Sequence, residues 1–139
     1  MKRVMLFGTF DILHAGHLYV FKKAAKLGSV TVVVARDNRV KKIKGQSSIH
    51  SERERAEILG HIDLIDKVVL GSPDNDVYRI IKKERPDIIV LGYDQNHFVD
   101  QLQEKIIEYG LKTKIIRLKP RKEAAHKSGK IRRKILENL

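Results

Sequence analysis

Short apolar runs rich in Val and Ile alternate along this chain with segments whose apolar positions recur every three or four residues. The runs are Arg3 to Phe7 (RVMLF), Ser29 to Ala35 (SVTVVVA), Lys67 to Leu70 (KVVL), Asp87 to Leu91 (DIIVL) and Lys114 to Leu118 (KIIRL). Their near-continuous apolarity suits strands buried on both faces, as in a parallel sheet. Between them, Leu18, Phe21 and Ala25, then Ile58, Ile62 and Ile65, then Val77, Ile80 and Ile81, then Leu102, Ile106 and Tyr109 each mark one face of a helix. Ile131, Ile135 and Leu139 continue the pattern. Gly28, Gly71, Gly92 and Gly110 fall where elements should stop or turn, and Pro86 stands just before the fourth run. No repeat or low-complexity linker divides the sequence. The pattern predicts a single domain over residues 1–139, with an α/β, three-layer Rossmann-like fold. Helices flank a five-stranded parallel sheet and are joined to it by right-handed crossovers. Such a sheet binds ligands beyond the carboxyl ends of its strands, at the point where strand order reverses.

Composition narrows the chemistry. The chain has 139 residues, 42% of them hydrophobic, which is enough for one ordinary core. With no cysteine, a disulfide scaffold, a thiolate zinc site and a Cys nucleophile are all excluded. No stretch approaches the roughly 20 apolar residues of a membrane span and no leader pattern opens the sequence, so the expected compartment is the cytoplasm. There are 29 Lys and Arg against 17 Asp and Glu, a formal charge of +12. Eleven of the basic residues and a single acid, Glu123, lie between Lys112 and Lys134. That bias implies polyanionic partners: nucleotide phosphates, nucleic acid or acidic lipid. A charge-rich composition also suits a hot habitat.

The first strand end carries the most distinctive residues, Gly8-Thr9-Phe10-Asp11-Ile12-Leu13-His14-Ala15-Gly16-His17. Gly8 lets the backbone approach a ligand, and Thr9 offers a hydroxyl and an amide. His14 and His17 flank Gly16 at the expected start of a helix, where free N–H groups and the positive dipole end attract phosphate. Two imidazoles there can donate to the same phosphate oxygens as charge develops on them. Phosphoryl and nucleotidyl transfer need this kind of positioning and charge stabilisation above all. The bland alternatives are a metal site, for which Asp11 is the only local third ligand, and plain surface histidines.

This segment resembles the GTFDxxHxGH signature of the cytidylyltransferase-like nucleotidyltransferases, and the likeness extends over nearly the whole chain. Ala35-Arg36-Asp37 and Lys44-Gly45 resemble the segment after the family's second strand. Arg55 falls where the family carries a phosphate-binding arginine, and Gly92-Tyr93-Asp94-Gln95 resembles its nucleotide-contacting turn. Lys127-Ser128-Gly129-Lys130-Ile131 is similar to its final Ser/Thr-rich motif, with Gly129 in place of one hydroxyl. The resemblance implies that His14 and His17 stabilise the transition state at the α-phosphate. It places Gly8, Thr9, Phe10, Gly16, Asp94, Arg121 and Ser128 against the nucleotide, and Asp11, Lys44 and Arg55 against phosphate or substrate, with Lys44 catalytic as well. It implies ATP as substrate with magnesium or another divalent cation riding on the triphosphate, no metal held by side chains, and a homodimer. Solvation or local pairing is the alternative for Lys44, Arg121 and Arg55; for Asp94 the alternative is a turn residue that bonds its own backbone.

Within the family the pattern is most similar to the short archaeal FAD synthases, which transfer AMP from ATP to FMN. Val33 to Asp37, Pro86 to Gln95 and Lys114 to Arg117 carry that likeness. Many of those enzymes have cysteines where this chain has Glu123-Ala124-Ala125-His126. The runner-up is a glycerol-3-phosphate cytidylyltransferase, and an adenylyltransferase of a sugar phosphate is third. Tyr93 and Phe98 could stack on a flavin or be ordinary packing. A nucleic-acid-binding module is disfavoured because the basic tail lacks interleaved aromatics. A catalytically dead scaffold is disfavoured because His14, Gly16 and His17 are all present.

Overall fold

The computed structural model describes residues 1–74 and 76–120. Expectations for Arg121, Ser128, the 127–131 motif and the 131–139 apolar stripe therefore lie outside the described residues, as does most of the basic tail.

Five strands form one parallel sheet: β1 (Arg3–Gly8), β2 (Ser29–Val34), β3 (Lys67–Leu70), β4 (Ile88–Leu91) and β5 (Lys114–Arg117), in the order β3-β2-β1-β4-β5. Side-chain alternation along the central strands sorts them into two cores. Val4 and Leu6 of β1, Val30, Val32 and Val34 of β2, and Ile88 and Val90 of β4 face one side. Met5, Val33, Ile89 and Leu91 face the other. Buried on both faces, these strands contain no polar break, which is why they read as continuous apolar runs.

Helices cover each face. Phe21 and Ala24 of α1 (Ala15–Ala25) and Leu59 of α3 (Glu52–Gly60) close the first core. Ile80 and Ile81 of α4 (Arg79–Glu84) and Leu102 and Ile106 of α5 (Leu102–Glu108) close the second. A further helix, α2 (Asp37–Lys44), follows β2 directly and was not expected from the pattern. It buries only Val40 and carries Lys41, Lys42 and Lys44 in its last turn, where positive charge suits the helix dipole. Gly45, at φ 74°, ends it in the left-handed conformation.

In α3 the expected apolar face is rotated. Ile58 is 42% exposed and the helix stops at Gly60, short of Ile62 and Ile65. Its inward positions are Arg55 and Leu59, one turn apart and both fully buried. An arginine on the core face defeats a reading based on apolar spacing.

β1 pairs with β2 along its whole length, from Arg3–Ser29 to Gly8–Val34, but with β4 only at Val4–Ile88 and Met5–Ile89. Beyond Met5 the two strands part, and the signature segment leaves β1 into that opening.

Candidate active site

α1 begins on the paired histidines. His14 is the N-cap, and its Nδ1 accepts the Gly16 backbone N–H at 3.1 Å. His17 Nδ1 accepts the His14 backbone N–H at 3.3 Å, so the two rings complete a capping box with imidazoles where Ser and Glu usually stand. The rings stack with centroids 3.9 Å apart. Because each Nδ1 accepts a hydrogen bond, a neutral ring carries its proton on Nε2. The helix start has thus committed two of its amides to orienting imidazoles, which leaves Nε2–H as the donor of each neutral ring. This refines the expectation that bare helix amides would meet phosphate.

His17 sits edge-on to Phe10 at 5.3 Å and near Phe21 at 6.5 Å. Burial, then the charges of His14 and Lys44, push its pKa from 6.5 down to about 3. It is a neutral donor across the physiological range. Gly16 is required by this packing: a Cβ there would stand 2.9 Å from His14 Cε1 and Nδ1. At Gly8 a Cβ would stand 2.7 Å from the Phe10 ring, so the space expected to admit a ligand is occupied by Phe10 itself. Phe10 turns back this way through a left-handed backbone, φ 54°.

Arg55 and Asp11 are placed differently from the expected phosphate contacts. Arg55 has no exposed surface; its guanidinium donates to the Thr9 carbonyl (2.8 Å), the His50 carbonyl (3.1 Å) and Asp37 Oδ1 (2.7 Å). Asp11, also buried, accepts the backbone N–H groups of Ile49 and His50 at 2.7 and 2.8 Å. These two charges tie the 45–50 loop to the signature, and Arg55 also holds the Thr9 carbonyl. Burial raises the Asp37 carboxyl, but hydrogen bonds from Arg55 and the Glu52 backbone outweigh it and hold its pKa below the usual range.

A cavity opens beside the signature, above the ends of β1, β2 and β3. Phe7, Gly8 and Thr9 form its inner wall, and Arg36, Arg39, Val40, Ile43 and Lys44 of the α2 segment form its flank. Gly71, Val77, Gln95, His97 and Phe98 close the remainder. Lys44 links this cavity to the histidines, since it lines the one and its charge acts on the other. Asp94 is exposed in the turn after β4.

Gln95, read from sequence only as the last residue of the nucleotide-contacting turn, bridges the parting strands: its amide donates to the Phe7 carbonyl (3.0 Å) and accepts from Gly92 N–H (3.3 Å). Arg117 pins the same turn through the Gly92 and Gln95 carbonyls, both at 2.9 Å. In the sequence Arg117 is marked only as part of the fifth strand run and of the Lys114 to Arg117 likeness, with no role of its own. Among the described residues no group of three His, Cys, Asp or Glu could hold a metal ion. No helix among them is long and apolar enough to cross a membrane.

The first strand of the parallel sheet delivers two oriented imidazoles to the strand-order switch, an arrangement suited to nucleotidyl transfer. The chain belongs to the cytidylyltransferase-like family, whose model matches residues 5–134. It is 44% identical over 137 residues to the FAD synthase of Pyrococcus abyssi, covering 97% of this chain and 93% of that one. To the FAD synthase of Thermococcus sibiricus it is 41% identical over 139 residues, 99% of this chain and 94% of the relative. A solved structure from Thermoplasma volcanium GSS1, described as a lipopolysaccharide core biosynthesis protein, superposes with a TM-score of 0.80 at 38% identity. It covers 87% of this chain and 98% of that one.

Proposed function

We propose that this enzyme transfers AMP from ATP to FMN, giving FAD and pyrophosphate, with residues 1–139 acting as one domain. The observation that carries the proposal is the pairing of the two-histidine helix start with a cavity joined to it through Lys44. The FAD synthase relatives favour FMN over the glycerol 3-phosphate alternative.

In the reaction a phosphate oxygen of FMN attacks the α-phosphorus of ATP in line. The bond from that phosphorus to the bridging oxygen breaks, and pyrophosphate leaves with the electron pair. A phosphate monoester is already ionised near neutral pH, so no side chain need act as general base. Negative charge accumulates on the non-bridging α-phosphate oxygens, and the Nε2–H groups of His14 and His17 are placed to meet it. Backbone N–H donation into each Nδ1 polarises the ring and strengthens its outer donor. The rings do not reorganise as charge develops, which is the basis of such stabilisation. Lys44 supplies a positive charge between acceptor cavity and histidines. Thr9, fixed by Arg55 through its carbonyl, presents its amide and hydroxyl to the nucleotide together with Asp94; the family resemblance assigns Arg121 and Ser128, outside the described residues, to the same nucleotide. A divalent cation bound to the triphosphate would neutralise the leaving pyrophosphate, held by phosphate oxygens and water.

The test supplies purified protein and magnesium with ATP or CTP, each with FMN or glycerol 3-phosphate, and follows pyrophosphate release. Release with ATP plus FMN, with FAD as product, supports the proposal. Release confined to CTP plus glycerol 3-phosphate would replace it.

A further inference from the structure

The far wall of the cavity holds an outlier. Phe98 has φ 62° and ψ −7°, a left-handed backbone that a bulky L-residue keeps only where its surroundings hold it there. The surroundings are visible. The Tyr78 hydroxyl donates to the Phe98 carbonyl, and the Phe98 ring lies 4.9 Å from Phe7 and 6.3 Å from Tyr78. Phe7 sits at the end of β1, so the Phe98 ring is fixed to the same strand that launches the signature. It remains only half-buried and lines the cavity.

Arg39 flanks the same space. It lines the cavity, is half-buried, makes no side-chain hydrogen bond or ion pair with the described residues, and its charge is felt at Tyr78. Its neighbour Arg36, by contrast, is committed to the Gly71 carbonyl and Glu52. The apolar part of the lining they share is Val33, Val40, Ile43 and Val77, with Asp74 and His97 among its polar residues. Lys44, beside the histidines, marks where an acceptor phosphate must lie. Phe98 and Arg39 therefore belong to the part of the cavity that receives the remainder of the acceptor.

We propose that Phe98, locked by Tyr78, and Arg39 are the residues that select a flavin ring as acceptor. This rests on the FMN reading given above and deepens it. The Phe98 ring offers a flat platform to the isoalloxazine, and the Arg39 guanidinium donates to the carbonyls of its pyrimidine edge. Tyr78 acts as a positioning residue, since it touches Phe98 and not the acceptor.

Phe98→Leu keeps apolar volume and loses the platform. It should raise KM for FMN roughly tenfold, the scale of one aromatic stacking contact, with KM for ATP unchanged. Phe98→Tyr, which keeps a ring, should stay near wild type. Tyr78→Phe should raise KM for FMN by a smaller factor and leave ATP untouched. Arg39→Gln removes a side chain without hydrogen-bonded partners among the described residues, so it decides the matter if Phe98→Leu fails to fold. It too should raise KM for FMN alone. Unchanged KM for FMN in Phe98→Leu or Arg39→Gln, or equal rises for FMN and ATP, would overturn the proposal. Wild-type protein assayed alongside separates the two readings: if it makes no FAD, the activity itself is misassigned.

Discussion

Replacing Gly16 by alanine isolates the part played by the histidine geometry. The added Cβ would fall 2.9 Å from His14 Cε1 and Nδ1. Ordinary carbon contacts begin near 3.5 Å, so the ring must retreat by roughly 0.6 Å or rotate. Either movement breaks the 3.1 Å bond from the Gly16 N–H to His14 Nδ1. It also disturbs the 3.9 Å stack on His17. Loss of a helix N-cap costs about 0.5–2 kcal/mol. Alanine is a better helix former than glycine by up to about 1 kcal/mol, which offsets much of that cost. Thermal stability should therefore move by only a few degrees. Turnover should respond differently, because small misplacements of preorganised groups cost on the order of 10²-fold. The assay is steady-state FAD formation beside a thermal melt of the same preparation. A protein that melts normally and turns over at least tenfold more slowly fits the account. Wild-type kcat and KM in Gly16→Ala would refute the claim that the His14 ring position limits the chemistry.

Three further expectations follow from the same geometry. His17, with its pKa pushed from 6.5 to about 3, binds fewer protons folded than unfolded between those values. Its contribution to stability is complete above pH 6.5 and declines by up to about 1.4 kcal/mol per unit as pH falls toward 3. His17→Gln should flatten that part of a pH-dependent melting curve, and an imidazole NMR resonance of His17 that titrates near 6.5 would contradict the assignment. Arg55→Met would strand the carbonyls of Thr9 and His50 and remove the partner of Asp37, for a loss of about 2–4 kcal/mol read from urea denaturation; a change below 1 kcal/mol would deny it a structural role. His14→Ala and His17→Ala should each lower kcat by ~10²-fold or more while ATP binding persists, and weakened binding with unchanged kcat would mean the rings serve the ground state.

The sheet was legible because its strands are buried on both faces. β3, Lys67–Leu70, matches the apolar run residue for residue, and the other four strand boundaries fall within a residue of theirs. The histidine pair was legible because its spacing fits a helix start. What stayed hidden has a common physical origin. Asp11 is held by backbone N–H groups of Ile49 and His50, and Arg55 by the Thr9 and His50 carbonyls and the Asp37 carboxylate; such pairings leave no periodic trace. α2 escaped because its single buried residue, Val40, is outnumbered by lysines and arginines on a solvated helix. The positive φ of Phe98 depends on Tyr78, twenty residues away, and no local turn residue announces it.

The central claim is direct transfer of AMP between two bound phosphates with no covalent stage on the protein. Label at the α-phosphate of ATP, followed through a single turnover with excess enzyme, tests it. The account predicts that label passes to FAD when FMN is present and that no labelled protein forms when FMN is withheld. Label trapped on the chain, or released only as AMP, would contradict it.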